Sequence, residues 1–233
     1  RAIYRKRQAE PSFVRLTRNE RIQHGLLAAS FIMLVITGFA LKFGWTLPFL
    51  SGGFNSFLRS TLHRTFGVIL IIDLFYNALY LLFTKRGRQV LKHLIPGWND
   101  FIEAGLYLQY LIGRRAEKPL FGRFTYWEKM EYWSVVWGVI IMGGTGLLLW
   151  FKGWTSGFLP KWGLDIVTLI HYLEAILATL AIVFGHFYFV IANPDVSPMS
   201  FTWLSGRISK EVALEEHPKT YQDRIRVEED KNK

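Results

Sequence analysis

Four apolar runs, each long enough to cross a lipid bilayer, alternate along this chain with segments rich in lysine and arginine. The first, Ile22 to Phe43, has 22 residues. At 1.5 Å rise per residue it spans a hydrocarbon core of about 30 Å. Thr17 and Glu20 just before it form a capping-box pattern, which starts the helix ahead of the apolar run and puts His24 in its second turn. The second run, Leu62 to Phe83, is interrupted by His63, Arg64, Asp73 and Asn77. The third, Ser134 to Phe151, contains Gly138, Gly143, Gly144 and Gly146, which let neighbouring groups approach its backbone closely. The fourth, Ile166 to Ile191, carries His171, Glu174 and His186, and Pro194 and Pro198 mark its exit. The pattern predicts an all-α, integral-membrane four-helix bundle.

Between the second and third runs, GRQVLKHLIPGWNDFIEAGLYLQYLIG mixes basic residues with spaced Leu, Ile, Tyr and Trp. It reads as one or two amphipathic helices on the cytoplasmic membrane face. Residues 1–204 are expected to form the transmembrane domain. Residues 205–233 are expected to form a charged, partly helical tail outside the membrane. No internal repeat is evident. The chain opens at Arg1 without Met, so a few residues are expected to precede it.

Charge sets the orientation. Lys and Arg number 7 in residues 1–21, 9 in 84–131 and 7 in 194–233, against 1 in 44–61 and 2 in 152–165. By the positive-inside rule both termini and the long central loop are cytoplasmic. The net charge of +10 follows the loops rather than one folded face, which argues against nucleic-acid binding. The absence of cysteine excludes disulfides, cysteine-held iron–sulfur clusters, thiolate zinc sites and covalent haem attachment.

Four of the six histidines lie inside the apolar runs, where a ligating side chain is costly and marks function. With odd runs leading outward and even runs inward, His24 lies near the cytoplasmic face and His63 near the outer face. The fourth run starts outside, which puts His171 in its outer half and His186 toward the cytoplasm. These two are fifteen residues apart, about 22 Å along a helix and about 60° around it. The economical pairing is His63 with His171 and His24 with His186, each pair closing both axial positions of a non-covalent, b-type haem. Gly25, Gly38, Gly67, Ala175 and Gly185 beside these ligands would leave room for a flat macrocycle. Arg64, Arg21 and Lys42 are candidates to meet its propionates, or to reach lipid headgroups. His93 and His217 are expected to be solvated surface residues. Asp73 and Glu174 are expected to be buried, as a haem-edge contact, a helix–helix hydrogen bond or part of a proton path. The alternatives are a haem-free anchor or small transporter whose histidines bind metal or relay protons, and a transmembrane reductase acting without a partner subunit.

The stretches RIQHGLLAASFIMLVITGFALKF, HRTFG, FGRFTYWEKMEYWSVVWG and IHYLEAILATLAIVFGHFYFVIANPDVSPMS, in this order, resemble the four-helix di-haem cytochrome b subunits of formate dehydrogenases and nickel–iron hydrogenases. The resemblance covers roughly residues 15–220. FGRF-x-YWEK-x-EYW and NPDVSPM are most similar to the branch that accompanies periplasmic multihaem cytochromes c. The resemblance implies the same four ligands, His24, His63, His171 and His186, although their last interval is one residue longer than in some relatives. It also implies a (mena)quinone site near the cytoplasmic-side haem, with Trp127, Glu128, Lys129 and Tyr132 as candidates. The implied function is electron transfer across a bacterial inner membrane. Its implied partners are the quinone and a periplasmic multihaem cytochrome c or iron–sulfur subunit of a larger redox complex.

Overall fold

The computed structural model describes residues 12–43, 56–192 and 199–222. In chain order these form β1 (Ser12–Val14), α1 (Arg18–Phe43), α2 (Ser56–Phe83), α3 (Lys85–Leu94), α4 (Trp98–Leu111), α5 (Tyr126–Trp150), α6 (Lys152–Thr155) and α7 (Lys161–Leu180). Two π-helical segments, Ala181–His186 and Tyr188–Ala192, continue α7, and α8 (Thr202–Ser205), β2 (Arg207–Ser209) and α9 (Lys210–Glu216) follow. Pro194 and Pro198, read as the exit of the fourth run, lie outside the described residues.

The fold is all-α, with four helices long and apolar enough to cross a membrane: α1, α2, α5, and α7 with its π continuation. Their surfaces are inverted relative to a water-soluble bundle. Phe75, Trp137 and Phe184 are each more than 60% exposed, whereas Gln23, Ser30, Thr37 and Asp73 are buried. Apolar surface of this extent is unfavourable in water and neutral in lipid, while a polar group in lipid must turn inward for a partner.

Each spanning helix begins before its apolar run. The largest difference is in α5, which starts at Tyr126, eight residues ahead of Ser134. A capping box explains it: Glu128 N donates to Thr125 Oγ1 (3.2 Å), and Thr125 N donates to Glu128 Oε2 (2.9 Å). Hydropathy misses this turn because Glu128, Lys129 and Glu131 are polar.

The chain divides into two compact units. One takes the described residues up to Arg18, those of Tyr80–Ser134 and those from Phe189 onward; the other takes Asn19–Leu79 and Val135–Tyr188. In the first unit the central segment forms two helices, as the spaced apolar residues predict. Thr84 caps α3 by accepting from Gly87 N at 2.8 Å. Gly87 is required there, since a Cβ would collide with the Tyr80 carbonyl oxygen. Val90 and Leu94 pack with Leu81, and Trp133 Nε1 donates to the Leu94 carbonyl at 2.9 Å.

The C-terminal region, partly helical as expected, also pairs a strand and builds a small core. Strand β2 pairs antiparallel with β1, with Phe13 opposite Ile208. Ile208, Ala213 and Tyr221 form a small core against Phe13, Val212 and Leu214. Ser209 caps α9, accepting from Val212 N at 3.3 Å. His217 is not a solvated surface residue: it is 2% exposed, with Nδ1 2.9 Å from the Gly122 carbonyl oxygen. A carbonyl only accepts, so Nδ1 carries the proton. His93 is exposed, as expected.

Burial and the Arg15 guanidinium push the His217 imidazole down to about 4. Between about pH 6.5 and 4 the unfolded chain therefore binds a proton at this side chain that the folded chain refuses. The stability that neutral His217 contributes is complete above that window and is lost as the pH falls through it. Glu216, pushed up to about 7 by burial and by Glu128, acts in the opposite sense. The difference between wild type and His217→Gln isolates the histidine. Hydrogen exchange of residues 207–222 should show the wild-type segment losing protection between pH 7 and pH 5 relative to the variant.

Candidate functional site

In the second unit, α1 and α2 run antiparallel: Arg59 Nη1 donates to the Ala40 carbonyl at 3.1 Å, and Asn77 Nδ2 donates to Gln23 Oε1 at 2.8 Å. Gln23 also donates to Asn19 Oδ1, and Asn19 hydrogen-bonds Tyr76. This chain of amides satisfies polar groups beside His24 that lipid would leave unpaired.

Four half-buried histidines meet in two pairs. The ring centroids of His63 and His171 are 6.3 Å apart with planes at 69°. Those of His24 and His186 are also 6.3 Å apart, with planes at 43°. Metal–imidazole bonds are about 2 Å long and the ring centre lies about 1 Å behind the bonding nitrogen, so two rings on opposite sides of one metal atom have centroids about 6 Å apart. Both pairs fit that spacing. Such donors, two neutral imidazoles with no thiolate, suit a six-coordinate haem iron. A Cβ on Gly25, next to His24, would meet open space, which suits the approach of a flat group.

Around the His63/His171 pair the two helix pairs repeat one device. Thr37 Oγ1 lies 2.6 Å from the Met33 carbonyl oxygen and 2.9 Å from His63 Nδ1. Thr145 Oγ1 lies 2.6 Å from the Ile141 carbonyl oxygen and 2.8 Å from His171 Nδ1. Each threonine precedes its histidine by 26 residues. Each is followed by a glycine whose Cβ would come within 3.3 Å of that histidine's Cε1, Gly38 for His63 and Gly146 for His171. The same contact is thus made twice, once in each pair of helices. Gly38 makes room for the imidazole of His63. The signal was present as two Thr-Gly dipeptides at equal distance from a histidine, a pattern too short to stand out without the contacts.

Two of the three cationic candidates, Arg64 and Lys42, lie over aromatic rings. Arg64 covers Trp150 at 5.2 Å and Lys42 covers Tyr172 at 4.5 Å. Asp73 is buried, and Glu174 Oε1 would lie 3.2 Å from a Cβ on Gly138, so that glycine makes room for the carboxylate.

The quinone candidates belong to the first unit, and two of them have structural partners. Glu128 holds the cap of α5 and accepts from Arg15 Nη2 at 2.5 Å, while Arg15 Nη1 donates to the Arg123 carbonyl. Lys129 donates to both oxygens of Asp100, at 2.7 and 3.0 Å. Tyr132 packs against the Leu81, Val90 and Leu94 cluster. Trp127 lies against Phe189, centroids 4.9 Å apart, and its buried indole N–H has no hydrogen-bond partner.

The sequence profile of the family described as prokaryotic cytochrome b561 matches residues 15–199. The chain is 22% identical over 205 residues to the cytochrome b556(Fdn) subunit of nitrate-inducible formate dehydrogenase from Escherichia coli, covering 88% of each chain. It is 24% identical over 216 residues to the cytochrome b556 subunit of formate dehydrogenase from Haemophilus influenzae, covering 90% of this chain and 83% of the relative.

Replacing Glu128 by alanine removes the reciprocal half of the capping box, leaving Thr125 N without its acceptor at a cost of about 1 kcal/mol, and strands the Arg15 guanidinium, which costs more. Thermal unfolding in detergent should show a lower midpoint for Glu128→Ala, with Glu128→Gln, which keeps a capping oxygen, falling between it and wild type.

Proposed function

The chain belongs to the prokaryotic cytochrome b561 family, and from that premise we propose that it is a di-haem b subunit exchanging electrons between membrane quinone and a redox partner on the outer face. Membership implies b-type haem, and together with four apolar helices it makes this a bacterial membrane protein. The observation that carries the di-haem reading is the 6.3 Å centroid spacing found twice, in two separate imidazole pairs. His63 and His171 hold the outer iron; His24 and His186 hold the cytoplasmic-side iron. When bound there, the haems would supply one-electron carriers at two depths.

The protein's part is to fix those imidazoles in a lipid-clad interior and to admit a quinone. Among the quinone candidates Trp127 offers what the others do not, an indole donor with no partner of its own, suited to a quinone carbonyl oxygen. Glu128 and Lys129 support that residue by holding the first turn of α5. Both termini and the central segment are cytoplasmic by charge distribution, so protons are exchanged with the cytoplasm at the quinone step. Both curated relatives are formate dehydrogenase subunits, which supports a place in a larger membrane redox complex. An iron–sulfur or multihaem cytochrome subunit is the matching outer partner. The metal-binding alternative without haem is disfavoured, because no group of three or more metal-ligating side chains converges among the described residues.

Pyridine haemochrome assay of the purified chain should find two haems per polypeptide. His63→Ala and His171→Ala should each remove the same one, and His24→Ala and His186→Ala the other; a haem-free wild type would overturn the reading. Trp127→Phe should raise the quinol KM severalfold while leaving the haem spectra unchanged, and an unaltered KM would remove Trp127 from the quinone site.

A further inference from the structure

Thr37 is fully buried in α1, and its hydroxyl is 2.6 Å from the Met33 carbonyl oxygen, one helical turn back. A carbonyl cannot donate, so the hydroxyl hydrogen points there. The lone pairs of Oγ1 then face His63 Nδ1 at 2.9 Å, and that nitrogen must carry the proton. Thr145 in α5 repeats the arrangement, with the Ile141 carbonyl at 2.6 Å and His171 Nδ1 at 2.8 Å. The protonation state is assigned by the hydrogen-bond network. With Nδ1–H fixed on both rings, each Nε2 keeps its lone pair for a ligand.

Two consequences follow from chemistry. An Nδ1–H donated to an oxygen raises the basicity of the imidazole, which favours the ferric over the ferrous ion. A ring held at Nδ1 by a hydroxyl on one side, and lying so close to Gly38 or Gly146 that an added Cβ there would be 3.3 Å from its Cε1, has a restricted plane. The planes of His63 and His171 cross at 69°, against 43° for His24 and His186. The mutual angle of two axial imidazoles sets the anisotropy of a low-spin ferric ion, so the two pairs differ in a readable property.

We propose that Thr37 and Thr145 are paired positioning residues that hold His63 and His171 as Nδ1–H donors with crossed planes, tuning the potential and magnetic anisotropy of that haem alone. The proposal rests on the di-haem reading. The wild-type haem content tests that reading, and the threonine variants test the proposal.

The experiment uses full-length protein in detergent, comparing wild type, Thr37→Val, Thr145→Val, the double valine variant, and Thr37→Ser with Thr145→Ser. Ferric electron paramagnetic resonance should show two low-spin signals. The more anisotropic one should be absent from His171→Ala, should shift in each valine variant and should return in the serine variants, which keep the hydroxyl. Redox titration should move the potential of the same haem upward in the valine variants and leave the other unchanged. Should the valine variants fail to retain that haem, its retention in the serine variants supports the proposal and its loss in both overturns it. Unshifted signals and potentials in a haem-replete double valine variant overturn it as well.

Discussion

A polar ring nitrogen inside a lipid-facing bundle must find a partner within the protein, because the surroundings offer none. That constraint shapes the second unit. The Thr37 and Thr145 hydroxyls each serve two acceptor or donor groups at once, closing the local account of a backbone carbonyl and of an imidazole with a single side chain. The small residues that follow them complete the arrangement, since a side chain at Gly38 or Gly146 would press on the ring. Around these contacts the outward surfaces include many Leu, Ile and Phe side chains, which need no hydrogen bond from their neighbours.

The first unit obeys the opposite rule. Its order depends on charged and polar groups that water would otherwise satisfy: the Thr125 and Glu128 cap, Arg15 clasped by Glu128 and the Arg123 carbonyl, Lys129 on Asp100, and His217 on Gly122. Desolvation makes each contact costly to break on one side only. Residues that a functional reading selects for their chemistry, Glu128 and Lys129 above all, therefore already have structural roles. Trp127 differs from them in that its buried indole N–H has no hydrogen-bond partner.

The fourth spanning helix changes character after Leu180. In a regular α-helix the fifteen residues from His171 to His186 rotate the second imidazole about 60° from the first. The π-helical turns from Ala181 take more residues for each revolution, which swings His186 back toward the His171 face. A π segment accommodates a surplus residue within a helix in this way. The ring of His186 still lies 6.3 Å from that of His24.

The sequence by itself determined the four spanning helices and the four histidines, because hydrophobic length and the rarity of imidazole in apolar runs are local properties of the chain. It also carried the two helices of the central segment, whose apolar spacing is again local. It did not reveal the β1–β2 pairing, since Phe13 and Ile208 are partners across almost the whole chain and the short strands sit in charged surroundings. Nor did it reveal that His217 is buried, that α7 passes into π-helix, or that Thr37 and Thr145 hold the imidazoles. Each of those depends on which atoms come within hydrogen-bond reach across separate elements, a fact that composition and periodicity leave open and that only packing in three dimensions decides.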